Sequence, residues 1–410
     1  MHHKVLERSP AAQPVLSQTK LLSAFTRSNG IIEYALAKIC GLAIKLHVEK
    51  GDYRMRFIRL DSCDEGMILG KSIYGQNGLI LLKFGTPLKQ SHIDSLIRLG
   101  YTGIYIEDEL SKDIIIPEII RPETNNRAQQ AIRELFNGSV FAELYNTAVM
   151  VKEVENVLEE IISQIVVNKS MVANVNSLKK YDDYTHQHCV DVGILSIILG
   201  QELRLSRNEL ISLGKAAFFH DIGKMFVQKN ILNKPERLTP DEFEEIKKHS
   251  QYGHDCIKDV LKQPEPIYKS VLHHHERFDG SGYPNNVLSD DIPLFAKIIA
   301  VTDVYNAITS KRPYKNEVIA TEAYEYIVGN AGKYFDGSVV NAFVKKIPPF
   351  AAGMIVHLSD NKRAIVVENR ADAMMRPLVR LIDGAEPGKS AYLDLALNEE
   401  MRKITIVGNE

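Results

Sequence analysis

Cysteine is scarce in this chain of 410 residues. The four cysteines, Cys40, Cys63, Cys189 and Cys256, form no CxxC pair. This excludes a disulfide scaffold and reads as reduced thiols in a cytoplasmic protein. Net charge is nearly absent as well, because 50 basic and 52 acidic side chains leave −2. That balance argues against a broad electrostatic binder of nucleic-acid polymers. No uncharged apolar run of about 18 residues exists, so no membrane span is expected. The nearest stretch, Ile31 to Val48, is broken by Glu33, Lys38 and Lys45. The start also lacks the ordered charged, apolar and small-residue regions of a secretory signal. With 45% hydrophobic and 25% charged residues, the chain is neither disordered nor collagen-like. Its length suggests two or three domains.

Residues 1–54 show little periodicity, and a patterned segment begins at Met55. Two readings of the first stretch stay open: a gene-model extension, or a weakly ordered N-terminal arm. Residues 55–110 read as a small α+β accessory domain. Met55–Leu60 is strand-like, and Ile73-Tyr74 and Leu79–Leu82 flank Asn77-Gly78, a dipeptide suited to type I′ hairpin turns. Ser91–Leu99 reads as a helix closed by Gly100, and Gly103–Ile106 as a returning strand. No chemistry is visible there, so sensing, docking or dimerisation is expected. A homodimer contact or a signalling-protein partner would use such accessory domains.

Residues 111–126 contain Pro117, Pro122, Thr124 and two asparagines, and read as a linker. Residues 127–347 follow a helical pattern. Val151, Val154, Leu158, Ile161, Ile162 and Ile165 form one apolar stripe. Ser206 with Glu209, and Thr239 with Glu242, spell capping boxes, the second with Pro240 at the first helical position. Asp336 is expected to cap the last helix. After Pro348-Pro349, residues 348–410 offer five short strand-like runs, Met354–Leu358, Arg363–Glu368, Leu378–Ile382, Tyr392–Leu395 and Ile404–Val407. These read as a small C-terminal β-rich, barrel-like domain.

Eight of the 13 histidines lie between His186 and His275. His220-Asp221 follows an apolar helical run and precedes a glycine, in Phe218-Phe219-His220-Asp221-Ile222-Gly223-Lys224. Buried there, the pair needs strong partners, and a metal ion would satisfy both. His249 is expected on the helix that begins at Pro240. His273-His274-His275 cannot share one helical face, because successive residues rotate by about 100°. Two of them can still reach two metals of one cluster. Asp303 is a lone carboxylate in the apolar run Ala300–Tyr305. His188 precedes an apolar helix. Imidazoles with carboxylates and no thiolates suit Fe, Mn or Zn rather than Ca or Mg. Seven ligands are too many for one ion, which suggests at least two, with Asp221 as the natural bridge. Two metals bridged by one carboxylate can generate a hydroxide and polarise a phosphoryl oxygen.

From about Val157 to Ile347 the sequence resembles the HD-GYP subgroup of the HD phosphohydrolase superfamily. The motifs are His220-Asp221-Ile222-Gly223-Lys224 and His274-His275-Glu276-Arg277-Phe278-Asp279-Gly280-Ser281-Gly282-Tyr283-Pro284. The resemblance implies a mainly α fold: an all-helical HD-type domain between a small N-terminal α+β domain and a small C-terminal β domain. It implies a bacterial, cytoplasmic, metal-dependent phosphodiesterase that cleaves cyclic di-GMP to pGpG, with GMP as the further product. His188, His220, Asp221, His249, His274, His275 and Asp303 fall on metal-ligand positions. Asp221 and Lys224 carry the catalytic roles, with Lys224 at the scissile phosphate. Tyr283, Arg312 and Lys315 fall on substrate-binding positions, and an arginine and a lysine suit base-edge and phosphate contacts.

Two departures bear on chemistry. Tyr184 stands where some members carry a glutamate for a third metal, so two divalent ions are expected, iron first, with manganese or zinc as alternatives. Asn306 stands where many members carry aspartate, which bears on product range or guanine contacts. His273 and His186 fall outside the ligand pattern, and His186 is expected at the surface. The rival readings are a phosphodiesterase for another cyclic dinucleotide, a non-catalytic cyclic di-GMP sensor, and a structural adaptor. The intact ligand set argues against the sensor.

Overall fold

The computed structural model describes residues 54–75, 79–99, 101, 103–116, 118–137, 144–167, 184–234, 236–309, 320–370, 372–383, 391–397 and 399–409. Residues 1–53 therefore lie outside the described residues, as do Asn77-Gly78 and Gly100. The architecture is mainly α, with a small α+β unit before the helical domain and a β-sheet after it.

The first unit contains β1 (Arg56–Arg59), β2 (Ile68–Leu69), β3 (Ile73–Tyr74), β4 (Ile80–Leu82) and β5 (Gly103–Glu107). Three strands form an antiparallel sheet in the order β1-β5-β2, and β3 pairs with β4. The helix Gln90–Arg98 buries Ile93 and Leu96 against Ile58, Leu60, Leu69 and Ile106. These are the alternate positions that the strand period sends to one face.

The expected linker is shorter than its composition suggested. Ile114, Ile116, Ile119 and Ile120 are buried, and Pro122 opens the helix Pro122–Asn137. The reason is physical: a proline costs nothing at a first helical position, where its missing N–H has no intrahelical partner. Thr124, expected in the linker, is buried and donates to Glu160.

The helical domain continues with Leu144–Val167, Tyr184–Glu202, Arg207–Phe219, Pro240–Lys247, His249–Asp255, Glu265–His273, Leu294–Thr309, Ala320–Gly329 and Gly337–Lys346. On the Leu144–Val167 helix, Val154, Leu158, Ile161 and Ile162 turn fully inward. The Ser206 and Thr239 capping boxes form, and Asp336 accepts from the backbone of Ser338 and Val339. The Tyr184–Glu202 and Leu294–Thr309 helices are apolar around most of their circumference and run through the core. A helix with no wet face must sit inside the domain. Polar side chains on these two helices are thereby carried into the interior.

The last unit is one sheet of β6 (Ile355–Leu358), β7 (Arg363–Glu368), β8 (Leu378–Leu381), β9 (Tyr392–Asp394) and β10 (Ile406–Asn409). Its order is β10-β6-β7-β8-β9, with antiparallel neighbours throughout. β9 and β10 occupy opposite edges, so the sheet is open rather than barrel-like. It packs on the first unit: Ile365 joins Met55, Tyr105, Ile114 and Ile116 in one apolar cluster. Arg380 grips Asp113 with two hydrogen bonds of 2.8 and 2.9 Å and donates to the Leu110 carbonyl. Among the described residues, no helix is long and apolar enough to cross a membrane.

Candidate metal centre

Each candidate ligand owes its position to where a helix stops or to which helix is buried. His188 lies on the buried Tyr184–Glu202 helix and Asp303 on the buried Leu294–Thr309 helix. The Arg207–Phe219 helix ends at its C-cap His220, and a 3₁₀ turn, Ile222–Phe226, follows Asp221. That turn needs Gly223: a Cβ there would lie 1.8 Å from the His249 carbonyl oxygen. His249 does not continue the Pro240 helix, as expected, but opens the next segment after a break at Lys248. The adjacent histidines are accommodated because the Glu265–His273 helix ends, leaving His274 as its C-cap and His275 beyond it.

These seven side chains converge in two groups. His188, His220 and Asp303 form one, and His249, His274 and His275 the other. His188 Nε2 lies 3.0 Å from Asp303 Oδ1, and His249 Nε2 lies 3.3 Å from His274 Nε2. Asp221 stands between the groups. Its Oδ2 is 3.3 Å from His220 Nε2 and 3.8 Å from His188 Nε2, while its Oδ1 is 3.5 Å from His249 Nε2. His275 Nδ1 is 4.0 Å from Asp303 Oδ2.

The imidazoles are held from behind. His220, His249 and His274 each donate Nδ1–H to the carbonyl three residues earlier, at 2.7, 2.7 and 2.6 Å. His188 Nδ1 meets Asn306 Oδ1 at 2.7 Å. Such contacts fix the tautomer that leaves Nε2 as a lone-pair donor. Among the described residues, His220 Nε2 is buried and makes no well-aligned hydrogen bond, although Asp221 Oδ2 is 3.3 Å away. An orphaned buried nitrogen facing two carboxylates is what an ion would satisfy. The donor set therefore fits divalent metals of the imidazole–carboxylate kind.

Electrostatics agree. Burial drives His249 below its ordinary value, His274 well below it, and His275 down to about 3. All three are neutral donors at pH 7. Burial opposes the charges on Asp221 and Asp303, but Lys224 and His220 beside Asp221, and the close His188 imidazole beside Asp303, outweigh it and hold both carboxyls well below the usual range. For Asp221 the main neighbour is Lys224, whose Nζ lies 2.5 Å from Oδ2. Burial likewise opposes the Lys224 charge, and Asp221 holds it on.

The Tyr283 ring lies 4.7 Å from that of His275, tilted by 30°. Its loop is tied down where Asn285 N–H donates to the buried Glu276 carboxylate at 2.7 Å. Arg312 and Lys315 lie outside the described residues, as does the side chain of Tyr184. Asn306 is buried against His188, a positioning contact that the sequence did not show. His186 is buried with its ring 5.5 Å from Phe136, where a surface position was expected. The flanking run Val190–Gly200 is apolar enough to draw that turn inside. His273 is half-buried, 3.7 Å from Glu276. Sequence reasoning passed over Cys189 as an ordinary thiol, yet it groups with His220 and Asp221. Burial raises its thiol well above the ordinary value, so it stays neutral. Its place directly after His188 was the available signal.

Residues 160–339 match the HD domain family. A cyclic di-GMP phosphodiesterase of Pseudomonas aeruginosa is 34% identical over 260 residues, covering 63% of this chain and 62% of that protein. A cyclic di-GMP phosphodiesterase of Thermotoga maritima is 39% identical over 176 residues, covering 42% of this chain and 47% of that protein. A 3′3′-cGAMP-specific phosphodiesterase of Vibrio cholerae is 29% identical over 187 residues, covering 45% of this chain and 36% of that protein. The chain thus spans 62% or less of the length of each of these relatives.

Proposed function

We propose, from the match of residues 160–339 to the HD domain family, that the protein is a metal-dependent phosphodiesterase of the HD-GYP kind that hydrolyses cyclic di-GMP to pGpG, with GMP as the further product. The observation that carries this reading is Asp221, with one oxygen toward each of two histidine groups. The names of the Pseudomonas and Thermotoga relatives support cyclic di-GMP as the substrate.

His188, His220 and Asp303 would hold one divalent ion and His249, His274 and His275 a second, with Asp221 shared. Iron is the expected metal, and manganese or zinc the alternatives. When bound, such a pair supplies Lewis-acid activation of water and neutralises charge on phosphoryl oxygens. The chain's own residues do the rest. The Lys224 ammonium, paired with Asp221 and partly open to solvent, meets the charge that develops on the scissile phosphate. Tyr283 walls the pocket beyond His275. Arg312 and Lys315 hold a guanine and a phosphate, and the 3′ oxygen leaves in line. Free thiols at Cys63, Cys189 and Cys256 accord with a cytoplasmic setting. The accessory units serve a second copy or a signalling partner.

The test is anaerobic purification, metal analysis and chromatography of the products from cyclic di-GMP, with Asp221→Asn alongside. Formation of pGpG by wild type, with loss of both metal and turnover in Asp221→Asn, is the expected result. Wild-type turnover in Asp221→Asn rejects the metal-site assignment, and an inert metal-loaded wild type rejects the substrate.

A further inference from the structure

Beyond Tyr283 the surface carries two side chains that the metal chemistry does not use. Lys247 Nζ lies 5.5 Å from the centre of the Tyr283 ring and 4.9 Å from that of Phe243. Both distances are within cation–π range. Phe243 is 48% exposed, a large apolar ring left in water on a helix whose other neighbours are mostly charged. From His275 outward the order is therefore imidazole, phenol, ammonium, phenyl.

We propose that Phe243 and Lys247 form an outer subsite for the half of the cyclic dinucleotide that is not being cleaved. The distal purine stacks on Phe243, and Lys247 contacts the distal phosphate. This inference rests on the phosphodiesterase reading and adds to it residues that discriminate a dinucleotide from a smaller diester. The chemistry suits the ligand, because a base offers a π-face to an exposed ring and a phosphate offers charge to an ammonium. Lys247 is free to turn toward it. Its partner Glu244, at 2.6 Å, is 65% exposed, and such surface pairs hold little energy. The two residues stand four apart on the Pro240–Lys247 helix, so both project from one face. That helix ends at Lys247, and the next begins at His249, so one residue separates the subsite from a ligand of the metal centre.

The test compares cyclic di-GMP with bis(p-nitrophenyl) phosphate, a diester that lacks a purine and a second phosphate, using the full-length, metal-loaded protein. The measured quantity is the ratio of kcat/KM for the dinucleotide to kcat/KM for the small diester. Phe243→Ala is expected to lower that ratio about ten-fold, mainly through KM, in line with the loss of one stacked base. Phe243→Trp restores it. Lys247→Gln lowers it as well and flattens its dependence on salt. Phe243 is exposed and Lys247 half-buried, and an unchanged melting temperature in each variant keeps folding out of the comparison. An unchanged ratio in Phe243→Ala, with wild type turning over cyclic di-GMP, overturns the subsite alone. Equal losses on both substrates overturn it too. A wild type that cleaves only the small diester overturns the substrate reading and the subsite together.

Discussion

The contact between Asn306 and His188 invites a sharp perturbation. Asn306 is 3% exposed, and its Oδ1 meets His188 Nδ1 at 2.7 Å, bridging helices 118 residues apart in the chain. Replacing it by alanine removes the acceptor that selects the His188 tautomer. A buried donor deprived of its partner costs roughly 1–3 kcal/mol. The ring then turns, or moves its proton to the nitrogen that faces Asp303. Either change competes with the ion held by His188, His220 and Asp303. Loss of such a supporting contact typically weakens metal affinity by about 10–100-fold. Asn306→Ala should therefore bind the ion of the His188, His220 and Asp303 site about 10–100-fold less tightly, read by competition with a chromophoric chelator under anaerobic conditions. The site of His249, His274 and His275 should keep its affinity. Asn306→Asp keeps an acceptor at the same place and should stay within about three-fold of wild type, below the roughly 10–100-fold loss expected without it. Wild-type metal affinity in Asn306→Ala would refute the argument, and so would equal weakening of both sites.

Two metals per chain are expected by elemental analysis after anaerobic iron loading, because Tyr184 replaces the carboxylate of a third site; a stoichiometry near three contradicts this. Arg312→Ala and Lys315→Ala should each raise KM for cyclic di-GMP about ten-fold or more with metal content unchanged, since a charge-assisted contact is worth about 1.5–3 kcal/mol. Normal kinetics in both variants would make them solvated loop residues. Asp113→Ala should cost about 3 kcal/mol, because it leaves the Arg380 guanidinium, 11% exposed, without its ion-pair partner. Faster proteolytic release of the C-terminal sheet, with a lowered melting temperature, is the expected signature. An unshifted melting curve would show that the apolar cluster alone joins the two units.

Local features were legible without coordinates. The capping boxes at Ser206 and Thr239, the cap at Asp336 and the apolar stripe from Val154 to Ile165 depend on contacts within one or two helical turns. Such contacts are written in neighbouring letters. The chemistry was legible for a related reason. His220-Asp221 after Phe218-Phe219, and Asp303 within Ala300–Tyr305, are polar letters beside apolar runs, and burial there demands strong partners. What lay beyond reach was anything decided between distant segments. The Asn306 contact with His188 could not be read because the two residues sit on different helices, 118 positions apart. His186 looked like a surface residue because a polar letter near a helix start carries no record of Phe136 across the core.

The flanking units show the same division. Strand alternation alone marked β6 to β9 within a residue or so at most boundaries, since one buried face imposes the period. Nothing in that alternation distinguished an open sheet from a closed one, because closure depends on whether β9 meets β10. Nor did it reveal that Ile365 and Arg380 would close over Met55 and Asp113. The sequence by itself determined which residues could be helical, which must be buried and which could bind metal. Only the tertiary structure decided which of them meet, because those meetings depend on the whole core closing at once.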